Sequence, residues 1–189
     1  MQELLAHIAK FISLDDSEQN MLLSKLSVSH VRKKQHLLEP GRSADQLFFV
    51  VKGCLRLYII NEKGNEQTHQ FVIENWWTTD FLAFHNDAPS DYYIQAVEDS
   101  DVLILDKTDF EYLMQKIPPL ERYFRLCYEK AVGAAQKRIN YLFTFSAEQR
   151  YRNMHNKFPE FIQRVPQYML ASYLDFSAEL MSKIRAGKT

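Results

Sequence analysis

Cysteine is nearly missing from this chain. Cys54 and Cys127 are the two among 189 residues, far apart and each in an apolar setting. No disulfide framework is expected, and two buried free thiols fit a reducing cytoplasm. An iron–sulfur cluster held by one chain would need about four thiols, so that chemistry is excluded. Glycine is also sparse, at five residues. No P-loop, dinucleotide fingerprint or G-x-S-x-G elbow occurs. No apolar run approaches the ~20 residues that span a bilayer, and no signal-peptide pattern opens the chain. The longest apolar block, Leu47 to Val51, has strand length. The six histidines (His7, His30, His36, His69, His85 and His155) form no closely spaced pair that a Glu could complete into a metal site. No metal or cofactor is expected, and a metal-dependent barrel enzyme is the weakest of the readings considered.

What is present is a core and a charge split. Hydrophobic residues make up 46% of the chain, enough to exclude global disorder. The net charge of −1 hides an asymmetry: residues 1–117 carry 11 Lys+Arg against 18 Asp+Glu, whereas residues 118–189 carry 12 against 6. An acidic front and a basic back suit a protein whose far end meets a polyanion.

Local patterns divide the chain further. Asp15 or Asp16 starts a helix to Leu26, with Met21, Leu22, Leu23 and Leu26 as its apolar set. Short β-rich runs then follow: Val31–Leu38, Leu47–Lys52, Leu55–Ile60, Gln67–Val72, Tyr92–Val97 and Val102–Leu105. Turn residues such as Glu39-Pro40-Gly41, Lys52-Gly53 and Asn61 to Asn65 separate them. Such spacing predicts a small antiparallel barrel or jelly roll. His30 and His36 would share one face of a regular strand, and Arg32-Lys33-Lys34 would blunt a sheet edge there. Thr108 to Glu111 fits a capping box for a helix ending before Pro118-Pro119. A long helix from Leu120 to Phe145 carries Leu120, Phe124, Cys127, Ala131, Ala134, Ile139, Leu142 and Phe145 at nearly every 3.5 residues, the seam of a helix that pairs. The small residues Ala131, Gly133, Ala134 and Ala135 allow close approach. This predicts a homodimer axis, the alternative being a helix lying on its own barrel. Ser146 and Gln149 form a second capping box, placing a break near 146 and a helix from Ala147 to about Lys157.

Residues Gln167 to Arg185 read as two short helices and a tight turn, the pattern of a helix-turn-helix whose second helix enters the DNA major groove. Leu170, Ala171 and Leu174 face inward from the first helix. Leu180, Met181 and Ile184 do so from the second, Phe176 is expected buried in the turn, and Ser177 caps the second helix. Ala178, Glu179, Ser182, Lys183 and Arg185 then face the groove. Glu179 and Lys183 are the expected base readers, with Ser177, Ser182 and Arg185 on phosphate.

Barrel, long helix and helix-turn-helix in that order resemble the Crp/Fnr family of transcriptional regulators, relatives of the catabolite activator protein. The resemblance covers nearly the whole chain. It rests on Gly41 with Phe48-Phe49-Val50-Val51-Lys52-Gly53-Cys54-Leu55-Arg56, and on Leu170 to Leu174 through Ile184-Arg185. It is strongest to the short members that end just after the recognition helix. The implied fold is α+β: a cyclic-nucleotide-binding-like β-roll over 1–117, a dimerisation helix over 118–145 (Leu120, Phe124, Cys127, Ala131, Ala134) and a helix-turn-helix over 146–189. The implied partners are double-stranded DNA with an inverted-repeat operator, a second copy of the chain, and an unidentified small-molecule effector; no membrane is implied.

The departures define the expected effector site. The family's phosphate cassette has Gly-Glu followed by Arg and Ser or Thr. Here Thr78 and Thr79 stand at Gly-Glu, and Ser90 and Asp91 at the Arg pair. Losing the phosphate's cation removes about 1.5–3 kcal/mol, so cyclic AMP is not expected to bind. Trp76, Trp77 and Tyr92, with Phe81, Phe84 and Tyr93, instead fill the region, as a filled core or as a pocket for an apolar ligand. Asp175 replaces a turn glycine, Ala178 replaces a base-contacting residue, and Lys183 replaces an Arg. No β-wing follows, so any DNA contact beyond the helix would fall to Arg185 and Lys188. The alternative function is a dimeric small-molecule or protein sensor that has lost DNA binding.

Overall fold

The computed structural model describes residues 1–186. Its compact units are residues 1–57 with 71–130, and residues 58–70 with the described residues from 131 onward. The first opens with α1 (Gln2–Ile8) and α2 (Asp16–Ser24). Asp15 caps α2 in a reciprocal box with Glu18, a start that its acidic first turn reinforces. Of the expected apolar set, Leu22 is buried, while Leu26 has already left the helix for the first strand.

The strands are β1 (Leu26–Val31), β2 (His36–Leu38), β3 (Gln46–Lys52), β4 (Leu55–Ile60), β5 (Glu66–Val72), β6 (Trp77–Thr78), β7 (Tyr93–Ala96) and β8 (Ser100–Asp106). They form two four-stranded antiparallel sheets ordered β1-β8-β3-β6 and β2-β7-β4-β5. The central strand β8 lies between β1 and β3 and buries Val102, Leu103 and Leu105. The expected strand over Val31–Leu38 is broken: residues 32–35 turn, with Lys34 left-handed at φ 71°. His30 and His36 consequently lie in different sheets, and Arg32-Lys33-Lys34 sits in the turn joining the edge strands β1 and β2, not on a strand. The Gly53 turn has the tightest glycine requirement. Its φ is 104°, and a Cβ there would stand 2.2 Å from Ser100 Oγ and 2.8 Å from Ser100 Cα.

Helices α3 (Phe81–Asn86), α4 (Lys107–Lys116) and α5 (Pro119–Thr144) follow. The cap of α4 is Asp106 rather than Thr108, and it makes no side-chain cap bond. The start of α5 belongs to the first core. Leu120 and Phe124 are 0% and 2% exposed and Cys127 packs against the same cluster. Their 3.5-residue spacing therefore reflects burial on the chain's own barrel, and Leu120 and Phe124 are not available as a dimer seam. Trp77 Nε1 donates to Tyr123 Oη at 2.9 Å, and Tyr123 Oη lies 2.9 Å from His7 Nδ1, a buried relay. Burial, then Lys10 and Lys130, pull the His7 pKa down to about 4.

In the second unit α6 (Ala147–Lys157) begins at the expected Ser146–Gln149 box. Then come α7 (Pro159–Arg164), α8 (Gln167–Tyr173) and α9 (Ala178–Arg185). Its core is small: Val165, Met169, Leu170, Ala171, Leu174, Met181 and Ile184 are buried, but nothing on α6 or α7 is.

Candidate nucleic-acid interface and effector pocket

The α8–α9 turn closes by chemistry readable in its residues. Phe176 N donates to Ala171 O at 3.1 Å and Asp175 N to Ser172 O at 3.2 Å. This pair of bonds ends a helix through a left-handed residue, here Asp175 at φ 59°. Asp adopts that conformation with less strain than most residues but with more than Gly. Ser177 Oγ then accepts from Leu180 N at 3.2 Å and starts α9. Met181 and Ile184 are buried and Leu180 is half-buried, so Ala178, Glu179, Ser182, Lys183 and Arg185 lie exposed on the other faces. Phe176 is half-buried, not fully enclosed as expected; Arg150 stacks over its ring at 6.0 Å. Lys188 lies outside the described residues.

The first turn of α9 also faces the chain. Ser177, Ala178 and Glu179 line a groove of about 430 Å³ with Asn61, Asn65, Glu66 and Gln67 of the β4–β5 hairpin. Ser172 pins α8 to this hairpin: its Oγ donates to Glu66 O and accepts from Thr68 N, both at 2.8 Å. Arg138 donates to Thr68 O and to Tyr173 O. The Glu179 carboxyl is held below its usual range by its own backbone N–H and Ser177, with Lys183 adding a smaller pull. Ser172, Arg138 and the hairpin were not singled out from sequence. Their partners lie 104 to 106 and 70 residues away, and no local pattern carries such pairings.

In the first unit, the residues expected at the effector pocket gather around a carboxylate. Asp80 caps α3, accepting from Ala83 N at 3.2 Å on one oxygen and from Ser90 Oγ at 2.9 Å on the other. Ser90 Oγ in turn accepts from Tyr92 N. Thr78, Thr79, Asp80 and Ser90 are buried, while Asp91 is exposed and outside the cluster. The Thr78 and Thr79 hydroxyls have no hydrogen-bond partner. The acidic group of this bonded cluster is the Asp80 carboxyl, and the bonds that define it involve no Lys or Arg. None of these residues supplies the cation with which a phosphate group pairs. Trp77 and Phe84 join the hydrophobic core, with Trp76 and Phe81 packed against it. Trp77 lies tilted between Phe49 and Phe124, with ring centroids 5.1 and 5.3 Å apart, and Lys130 sits 4.5 Å over Trp76. Tyr92 and Tyr93 are half-buried. Asp80, missed by sequence reading, had a signal: an Asp directly before Phe81-Leu82-Ala83-Phe84 is an N-cap pattern.

Residues 28–117 match the family model of the cyclic nucleotide-binding domain. No curated protein matches the chain in sequence. Among solved structures, FixK2 from Bradyrhizobium japonicum aligns at 14% identity with a TM-score of 0.74, over 86% of this chain and 83% of that one. The c-di-GMP-responsive global regulator CLP of Xanthomonas campestris aligns at 11% identity and a TM-score of 0.75, over 92% and 91%. The catabolite activator protein of Thermus thermophilus gives 18% and 0.57, over 93% and 84%. At such identities the likeness is one of fold.

Proposed function

We propose that this chain, a Crp/Fnr-like protein built on a cyclic nucleotide-binding domain, is a DNA-binding transcriptional regulator that acts as a cytoplasmic homodimer and not as an enzyme. The observation that carries the reading is the division of α9, with Met181 and Ile184 buried and Ser182, Lys183 and Arg185 exposed. Lys183 is the base reader, with Ser177, Ser182 and Arg185 on phosphates; Glu179 and Ala178 complete the base-facing row once the hairpin groove opens. Half-sites would lie about one helical turn apart on an inverted repeat.

The dimer seam is the exposed stripe of α5. Val132, Ile139 and Phe143 are 56%, 52% and 88% exposed, and with Ala135 they recur at helical spacing. Ala131 and Ala134 flank that stripe. The domains of this reading are a β-roll over 1–117, a dimer helix over 118–145 and a DNA-reading end over 146–189.

The effector site is degenerate. Asp80 and Ser90 satisfy each other where a phosphate and its cation would meet, so cyclic AMP does not act here. Calorimetry giving a micromolar constant for cyclic AMP would sink this part. For the main reading, mobility shifts on genomic fragments should show affinity falling steeply with salt. Lys183→Ala should flatten the preference among bound sequences while leaving weak general binding. An unchanged preference would remove Lys183 from its role. No salt-dependent binding at all would favour a sensor module without DNA.

A further inference from the structure

We infer that the second unit holds a binding site for an amphipathic organic anion, an acidic head group on an apolar body, enclosed by α5, α6 and the end of α8. A cavity of about 640 Å³ opens there, within the range that takes small-molecule ligands. Its apolar wall comes from Leu142, Met154, Phe158 and Leu174, with Tyr141 and Tyr173 beside them. Four cationic residues, Lys137, Arg138, Arg150 and Lys157, line it, and no Asp or Glu does.

Part of the guanidinium valence is already committed. Arg138 bonds the carbonyls of Thr68 and Tyr173, and Arg150 those of Leu142 and Asp175. Those bonds hold both side chains in place without neutralising them. The Nε–H of each is buried with no hydrogen-bond partner. A buried N–H left bare and cations without a counter-charge are both unfavourable. A bound anion would supply the missing counter-charge, while the apolar wall takes its tail. The site is separate from the Asp80–Ser90 cluster and stands whether or not the chain binds DNA.

The test uses the full chain and 8-anilinonaphthalene-1-sulfonate, an aromatic anion that fluoresces in apolar sites. Saturable binding is expected, displaced by decanoate or decyl phosphate below their micelle concentrations; whichever competes better identifies the head group. Decanol and decyltrimethylammonium should compete at least about tenfold worse. Arg150→Met should weaken decanoate by about ten- to a hundredfold. Lys137→Met, which breaks no carbonyl bond found here, should weaken it by a smaller factor while the circular dichroism stays unchanged. Met154→Trp should abolish binding by filling the cavity. Equal competition by decanol, or binding untouched in both Met154→Trp and Lys137→Met, would overturn the proposal, as would the absence of saturable binding.

Discussion

The two units are held together by different means. In the first, Phe49, Trp77, Tyr123 and Phe124 interlock with ring centroids 5.1 to 5.3 Å apart, and residues such as Leu47, Leu55 and Leu105 are wholly buried. In the second, α6 and α7 bury nothing, and Arg138, Arg150 and Ser172 reach across to backbone carbonyls. Apolar burial is roughly additive in area and insensitive to small shifts. Side-chain bonds to carbonyls contribute about 1 kcal/mol each and depend on geometry. The second unit should open locally at lower free energy than the first.

The contrast can be broken most severely at Gly53. Gly53→Ala forces a Cβ against the Ser100 backbone at a φ of 104°. A loss of at least about 3 kcal/mol is expected, and a denaturant midpoint within error of wild type would refute it. Next comes acid. The unfolded His7 side chain takes up a proton near pH 6.5, but the folded one waits until about pH 4. In that window the unfolded state binds more protons, so stability falls as pH drops from 6.5 to 4 and levels off below. The contribution is up to about 3 kcal/mol. It should disappear in His7→Gln, and an imidazole resonance titrating near 6.5 would contradict it.

A smaller effect, confined to the second unit, is expected from Ser172→Ala. It strips one bond from Thr68 N and one from Glu66 O, an expected loss of about 1–2 kcal/mol. Hydrogen exchange should quicken at the Thr68 amide and leave the amides of β3 and β8 unchanged; equal acceleration in both units would mean that they do not open separately. Smallest, and of opposite sign, is Asp175→Gly. It relieves a left-handed residue at φ 59° and should stabilise the turn by about 1 kcal/mol, raising the melting temperature by a few degrees at most.

Elements whose cause is local were readable from the chain. The β-rich runs at Gln46–Lys52 and Ser100–Asp106, the Ser146–Gln149 box and the stripe of Met181 and Ile184 each sit within a dozen residues. What depends on distant partners was not. Periodicity said that Leu120 and Phe124 face something apolar, and could not say whether it was a second chain or the chain's own barrel. The turn at Lys34 hides in a β-rich run because nothing in Arg32 to Gln35 marks a left-handed position. The face of α9 was legible because a buried stripe fixes its complement. The Asp80–Ser90 pair and the four cations of the α5–α6 cavity come together only through tertiary packing, so neither could be assembled from spacing.

The Ser172 hydroxyl occupies the outer hydrogen-bonding row of β5, the last strand of its sheet. A sheet rim left bare is an invitation to strand addition by another molecule. If α8 lifted away, the Thr68 amide and the Glu66 carbonyl would become a template for self-association. Any event that frees this helix for long therefore carries a risk of fibrous or swapped assemblies, and rapid redocking would protect solubility.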